Sequence, residues 1–591
     1  MCGINAIYNN KGSKLDFSSI IHKMNNEMIY RGPDSQSIWK DEQIVLGHVR
    51  LSIIDLKNGA QPLFSKDKSL VLICNGEIYN YIELKEDLQY QGFEFKTKSD
   101  CEVIIYLYQK FGLDFVHYLR GMFALIIWDQ KQQKVIVSRD RMGKKPLYYA
   151  RTINGIAFSS EVKAISKHFL EDFSFNDTEI INSLKYSHPL FENKTFVNEI
   201  EKVEPGQLIV FDNDKIEKLN YWSNKQIKRI SKIDKKAALV KTKDILTKAV
   251  DIRLRSDVPV AVLLSSGIDS TTVATLAKES RNEVHAITVG YKSQSQNDER
   301  ELARRFAKEK GIIYHEVELD QNDFKNYFDE YTATIDEPVC DIAAIAQWGI
   351  YKKAKELGFK VLLSGIGGDE LFYGYDVHNR IGLSSEKYNG INQFFPINSF
   401  KGYIALFYYI FKNKGVLNFY SKNTYESHFA RYYKSAFEDF KKHINPTKLD
   451  LKLESELNLK NKNNGVDTVY NYLLNEWLIN NCFYQADKLA MGNSIEVRSP
   501  FADQELIEYI LQLPFETLFD SKKTKGFLKE VMQDDLPSYI LNMSKKGFTP
   551  PMGYIQDIVS NYNSKYFNSK LFDYNQVLVD RLISSHFSKN G

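Results

Sequence analysis

Two short stretches place acids inside turns rich in glycine and serine, a combination suited to a metal-bound polyphosphate. The first, Leu263-Leu264-Ser265-Ser266-Gly267-Ile268-Asp269-Ser270-Thr271, follows the apolar run Val258–Leu264 and precedes a helical pattern over Thr271–Glu279. A buried strand that enters a glycine turn and then opens a helix offers three things to phosphate. The hydroxyls of Ser265, Ser266 and Ser270 can donate, Gly267 lets backbone N–H groups approach, and the helix start favours negative charge. The Gly-Lys-Ser/Thr of a Walker A loop is missing. Asp269 would repel an anion there unless a cation sat between them. The second stretch, Lys360–Ser364 followed by Gly365-Ile366-Gly367-Gly368-Asp369-Glu370, repeats the plan. In a parallel sheet both turns lie at the carboxyl edge, where nucleotides bind. Asp269 and Asp369 can then share one Mg²⁺ on a polyphosphate. A third candidate is Cys2. With Met1 removed, it carries a thiol and an α-amino group on one residue. That amine has a reference pKa of about 8 and can take the thiol proton. Taken singly, each of these has a plainer reading as a polar turn or an inert cysteine.

The residues downstream of Cys2 form an ordered set. Arg31-Gly32-Pro33-Asp34 is a charged turn, and His48–Asp55 alternates like a strand, with Arg50 among apolar neighbours. Asn75-Gly76-Glu77-Ile78-Tyr79-Asn80 follows the apolar strand Leu70–Cys74, Asp100 precedes an apolar helix, and Arg139–Tyr149 continues the series. From Cys2 to Glu161 this order resembles the class II glutamine amidotransferases, a family of N-terminal nucleophile hydrolases. The resemblance implies that Cys2 attacks the glutamine side-chain amide and passes through a thioester, releasing ammonia and then glutamate. It implies that the Asn75 side chain and the Gly76 N–H receive the oxyanion. Arg50 would pair with the substrate α-carboxylate, and Asp100 with Glu77 would hold the α-ammonium. Leu51, Ser52, Ile53 and Ile54 would complete the glutamine site. Tyr30 stands where the family often has histidine.

The paired loops resemble the pyrophosphate-loop ATPases, and most of all the synthetase half of asparagine synthetases. The resemblance implies ATP as cosubstrate with Mg²⁺ held by Asp269 and Asp369. Leu263, Val289, Ser364 and Gly365 would surround adenosine, and Ser265, Ser266, Gly267, Asp269 and Ser270 would cradle phosphate. Lys488, within Asp487–Phe501, would contact the phosphates and the developing pyrophosphate. Glu496 and Arg498 can form a structural ion pair, and Lys545–Phe548 resembles a late basic segment of the family. The implied reaction adenylates a carboxylate and lets ammonia, passed internally from the first site, displace AMP. Aspartate is the family's commonest acceptor, and some relatives amidate uronic acids during surface-polysaccharide synthesis. Ile366 departs from the pattern, since asparagine synthetases commonly carry glutamate there.

These residues need two scaffolds. The resemblance implies an N-terminal nucleophile hydrolase αββα sandwich over residues 1–222, a lysine-rich linker over 223–236, and an adenine-nucleotide α-hydrolase-like domain over 237–591. Independently, strand and helix patterns alternate after residue 257, at Val258–Leu264, Thr271–Glu279, Val284–Val289, Asp298–Lys310, Ile312–Val317, Ile342–Glu356 and Lys360–Ser364. That alternation predicts a parallel α/β sheet. A chain of 591 residues is too long for one core. Its 43% hydrophobic and 26% charged content is that of a globular protein, and a net charge of +3 with no basic stripe gives no reason to expect nucleic acid. Five scattered cysteines make no metal-spaced pair and fit a reducing compartment. No signal-peptide pattern opens the sequence, and the apolar run Tyr403–Phe411 reads as a buried helix too short for a bilayer. The aromatic-rich stretch 377–465 reads as helical. The expectation is a cytoplasmic enzyme acting on glutamine, ATP and a carboxylate, free of the membrane, with a homodimer compatible with the resemblance.

Overall fold

The computed structural model describes residues 2–9, 16–170, 172–176, 178–180, 183, 193–213, 215–293, 298–339, 341–376, 379, 465–543, 550–560, 562 and 574–582. The readings at Tyr403–Phe411 and Lys545–Phe548, and most of that at 377–465, lie outside these residues. Twelve strands build the amino-terminal region: β1 Cys2–Tyr8, β2 Ser35–Lys40, β3 Ile44–Arg50, β4 Leu63–Phe64, β5 Leu70–Ile78, β6 Gly121–Asp129, β7 Lys134–Arg139, β8 Tyr148–Thr152, β9 Gly155–Ser159, β10 Ile200–Lys202, β11 Gln207–Asp212 and β12 Lys215–Asn220. They form two antiparallel sheets, ordered β10-β8-β9-β1-β3-β2 and β12-β11-β7-β6-β5-β4.

The period of two decides which side chains meet. Ile4, Ala6 and Tyr8 of β1 pack against Val71 and Ile73 of β5 and Ala124, Ile126 and Trp128 of β6, filling the space between the sheets. The alternate residues face outward. Ile7 and Val45 take the helices Ser18–Glu27 and Val162–His168, through Ile21, Met24 and Ile165. Leu70, Leu72 and Cys74 take the helix Glu102–Phe111, through Val103 and Leu107. The result is the four-layer αββα sandwich.

The carboxy-terminal region is built on five parallel strands: β13 Val260–Leu263, β14 His285–Tyr291, β15 Ile313–Leu319, β16 Val361–Leu363 and β17 Glu496–Arg498. Their order is β15-β14-β13-β16-β17. Successive strands move outward from β13 on one side and then resume on its other side, so the switch point lies between β13 and β16. Ligands bind at such points in open α/β sheets. Val262 and Leu363 face the helix Ile268–Ser280 on one side of the sheet. Ala261, Ile287 and Leu362 face the helices Gln321–Thr334 and Ala344–Glu356 on the other. Residues 223–236 include a short turn at Asn224–Gln226 and are tied to the second region by Ile230 N–H to the Gln512 carbonyl at 2.8 Å. Among the described residues no helix is long and apolar enough to cross a membrane.

Candidate active sites

β1 begins with Cys2, which pairs with Arg50 at the end of β3. The same alternation that buries Ile4 between the sheets sends Cys2 there, and the alternation that buries Ile73 sends Asn75 to meet it. The Cys2 N–H donates to Asn75 Oδ1 at 3.1 Å. That bond turns the Asn75 NH₂ away from Cys2 N, and this buried Nδ2 has no hydrogen-bond partner among the described residues. An unsatisfied buried donor costs about 1–3 kcal/mol, and an oxyanion formed at the neighbouring thiol would satisfy it. Gly76 follows, opposite Phe123 of β6. A Cβ there would lie 2.2 Å from the Met122 carbonyl oxygen. Burial pushes the Cys2 thiol up, while the positive chain terminus, the Leu51 N–H and the Arg50 charge pull it back.

Arg50 is folded onto the loop that follows it. Its Nη2 donates to the carbonyls of Asp55 at 2.7 Å and Ile54 at 3.2 Å. The loop is pinned further by Ser52, whose N–H donates to Asp34 at 2.7 Å. Leu51, Ile53 and Ile54 are buried. Asp100 accepts the Ile78 N–H at 2.8 Å, which brings it beside the end of β5 that carries Glu77. Burial pushes both carboxyls up, and each is raised further by the negative charge of Glu496. Two buried acids in that condition are suited to an incoming ammonium group. The structure therefore gathers Cys2, Arg50, Asn75, Gly76, Glu77 and Asp100 around one end of the sandwich.

The two glycine loops meet at the switch point. Gly367 turns with φ +98°, which favours glycine, and a Cβ on Gly368 would come within 2.5 Å of Asp269 Oδ1. Ser270 closes the first loop on itself, donating to the carbonyls of Ser265 and Gly267 at 3.1 Å each. Beside the loops is a cavity of about 360 Å³. Leu263, Val289, Tyr351, Ser364 and Gly365 line it together with Ser265, Gly267, Asp269, Ser270 and Asp369. Leu263, Val289 and Tyr351 offer the apolar faces an adenine needs, and the serines and aspartates the hydroxyls and acids of a polyphosphate site. Ser266 is fully buried and does not contribute to this wall.

A cation already sits between the acids. Lys525 pairs with Asp269 and, at 2.6 Å, with Asp369. Burial opposes its charge, but the two carboxylates more than restore it. Gly374 leaves the room: a Cβ there would lie 2.0 Å from Asp369 Oδ1 and 2.4 Å from Lys525 Cε. Carboxylates that converge on one ammonium provide the donor set of a Mg²⁺ ion completed by phosphate oxygens. Among the described residues no group of three or more His, Cys, Asp or Glu could hold a metal alone. An ion here would depend on the nucleotide for its remaining ligands.

Lys488 requires a correction. It was expected at the phosphates, yet it is buried away from the cavity, paired with Glu161 and, at 2.9 Å, with Asp336. Its neighbour Asp487 accepts Arg31 at 2.7 Å. The helix Tyr484–Gly492 that carries both residues faces the amino-terminal region, so its charges serve the contact between the regions. The lysine at the loops is Lys525, which sequence reasoning missed because Lys522-Lys523-Thr524-Lys525 reads as a solvated basic turn.

Residues 1–222 match the glutamine amidotransferase domain family, and residues 241–589 match the asparagine synthase family. The glutamine-hydrolysing asparagine synthetase 1 of Bacillus subtilis is 31% identical, over 93% of this chain and 87% of its own length. The chain belongs to the asparagine synthetase family. The B. subtilis synthetase numbered 3 is 27% identical over 93% of this chain and 87% of its own. A relative named amidase chry2, from Gibberella zeae, is 28% identical over 93% and 89%. As a member of the asparagine synthetase family the protein is a glutamine-hydrolysing ligase that uses ATP to form an amide.

In this asparagine synthetase relative the two halves meet across a seam of buried charges. Arg31 donates from Nε to the Cys2 carbonyl at 3.3 Å, from Nη1 to Glu161 at 2.6 Å and from Nη2 to Asp487 at 2.7 Å. Asp503 accepts Arg120 from the first half at 2.8 Å and Arg253 from the second at 2.7 Å. Arg498 pairs with Glu496 at 2.5 Å and reaches Glu77 across the seam at 3.3 Å. Tyr30, at the unusual position, donates to the Thr334 carbonyl at 3.3 Å and so also serves the seam. Between these ions lies an apolar cluster in which Leu51, Ile53, Ile54, Tyr79 and Met122 of the first half meet Ile252, Val361 and Met491 of the second.

Proposed function

We propose that the protein hydrolyses glutamine at Cys2 and uses the ammonia to convert an ATP-activated carboxylate, aspartate first of all, into its amide, with AMP and pyrophosphate as the other products. The observation that carries this reading is the convergence of Asp269 and Asp369 on Lys525 in a cavity that Leu263, Val289 and Tyr351 also line. In the first site the Cys2 thiolate would attack the glutamine carboxamide, Asn75 Nδ2 would receive the oxyanion, and Glu77 with Asp100 would hold the α-ammonium. Arg50 would turn from its loop carbonyls to the α-carboxylate. The apolar cluster at the seam is a medium in which ammonia stays unprotonated and nucleophilic. In the second site Asp269 and Asp369 would hold Mg²⁺, which supplies charge neutralisation on the polyphosphate. Lys525 would then face the leaving pyrophosphate.

Ile366 favours a second reading of the acceptor, a uronic acid or another carboxylate, because it lines the cavity where asparagine synthetases commonly place glutamate. One assay separates the two: glutamine-dependent pyrophosphate release and amide formation, measured over a panel of aspartate and uronic acids. Asparagine formation is expected. Amidation of a uronic acid with aspartate untouched would replace the first reading by the second.

A further inference from the structure

Amide formation leaves a proton to be removed from the attacking nitrogen, and isoleucine at position 366 cannot accept one. Beyond Ile366 the cavity is walled by Glu370, Tyr375 and Cys482. Glu370 is 2% exposed. Its Oε1 accepts the Tyr375 hydroxyl and lies 3.6 Å from Cys482 Sγ. On the other side, Trp477 Nε1 donates to the Tyr375 oxygen at 3.3 Å.

Trp477 and Cys482 both belong to a π-helical stretch, Leu473–Phe483. Such winding is rare and is frequently found at functional sites. In an α-helix, side chains five residues apart point about 140° away from each other. Winding with i→i+5 hydrogen bonds brings them onto one face instead. Here that face touches both members of the Tyr375–Glu370 pair. The Tyr375 hydroxyl donates to Glu370 while its oxygen still accepts, from Trp477 in the resting protein, so the group can give one proton as it takes another.

We propose that Glu370, with Tyr375 as its relay, is the proton acceptor of the amide-forming step, and that Trp477 and Cys482 are the positioning residues that hold the pair. This rests on the amidotransferase reading above. The ammonia lone pair forms the C–N bond at the acyl carbon. A proton of the resulting ammonium passes to the Tyr375 oxygen as the Tyr375 hydroxyl proton passes to Glu370. The bond from the acyl carbon to the adenylate oxygen breaks, AMP leaves with the electron pair, and the carbonyl re-forms.

The test uses the full-length protein with MgATP, ammonium chloride and aspartate, or the uronic acid that wild type prefers in the panel. First-turnover pyrophosphate, acid-quenched acyl-adenylate and steady-state amide are measured for wild type, Glu370→Gln, Glu370→Asp and Tyr375→Phe, each checked by thermal melting. Loss of a general base predicts a fall in amide formation of about 100-fold or more in Glu370→Gln. The pyrophosphate burst persists and acyl-adenylate accumulates, a signature that a merely structural role would not produce. Glu370→Asp recovers part of the rate. Amide formation by Glu370→Gln near the wild-type rate, or burst and amide falling together in a variant that melts normally, overturns the proposal. Should Glu370→Gln not fold, Tyr375→Phe removes only a hydroxyl and decides by the same partition. Wild type that releases no pyrophosphate with any carboxylate refutes the amidotransferase reading instead.

Discussion

Replacing Asn75 by alanine separates catalysis from stability in a way the structure makes quantitative. Asn75 Nδ2 is buried without a partner among the described residues, a burden of about 1–3 kcal/mol that alanine removes. Alanine also takes away the acceptor of the Cys2 N–H and leaves that buried donor unpaired, a loss of about 1–3 kcal/mol. The two effects nearly offset, so the melting temperature should change little. The transition state has no such compensation. Losing one oxyanion donor costs about 3–4 kcal/mol, or roughly 10²–10³ in kcat. The measurement is glutaminase kcat at saturating glutamine beside amide formation from added ammonium, which should persist. Asn75→Asp retains an acceptor for Cys2 but sets a negative charge against the oxyanion, and should fall below Asn75→Ala. A loss of less than about tenfold, equivalent to about 1.4 kcal/mol, in a folded Asn75→Ala protein would refute the assignment of Nδ2.

Three further outcomes are expected. Intact-mass measurement of active protein should show Met1 removed, and Cys2→Ala should abolish glutamine-dependent synthesis while synthesis from ammonium survives; retention of Met1 in fully active enzyme excludes a terminal nucleophile. Asp369→Asn weakens the charge that Lys525 and Mg²⁺ would share, so pyrophosphate release should collapse by about 100-fold or more while glutamine hydrolysis continues, and near-normal ATP turnover speaks against the paired loops. Asp503 is pushed up by burial, but Arg253 and Arg120 pull its pKa down to about 2. A depressed carboxylate stabilises above its unfolded pKa of about 3.9 and loses that contribution, here about 2 kcal/mol, as pH falls through the folded value. The gap in melting temperature between wild type and Asp503→Asn should therefore be full above pH ~4 and shrink toward pH ~2; a gap independent of pH would show that the ion pair is not its source.

The features legible in the sequence were those that local physics specifies. The alternation of β1 and β5 that brings Cys2 to Asn75 is a period-two pattern, and the loops after β13 and β16 announce themselves by glycine after a buried strand. The rest depended on tertiary context. β17 spans only Glu496–Arg498, too short to show a period, and its two charges conceal a strand. The helix Gln321–Thr334 buries Phe324, Phe328 and Tyr331 on one face, three aromatic residues in an otherwise polar stretch. No spacing distinguishes the π-helical winding of Leu473–Phe483 from an α-helix. Lys488 was expected at the phosphates and Lys525 carried no expectation, because a lysine next to other charges reads the same whether it meets a phosphate, a neighbouring domain or water.

Arg31 ties three things together: the Cys2 carbonyl, Glu161 on its own side and Asp487 on the other. Leaving any of these buried charges unpaired would cost about 3–5 kcal/mol, so the contact behaves as a latch with little slack. Asp487 and Lys488 ride on one helix, and Lys488 is fastened to Asp336. A displacement of that helix is therefore felt at the nucleophile one guanidinium away. Such mechanical communication is reciprocal by linkage: if filling the nucleotide cavity tightens the glutamine site, then glutamine must tighten the hold on nucleotide by the same factor.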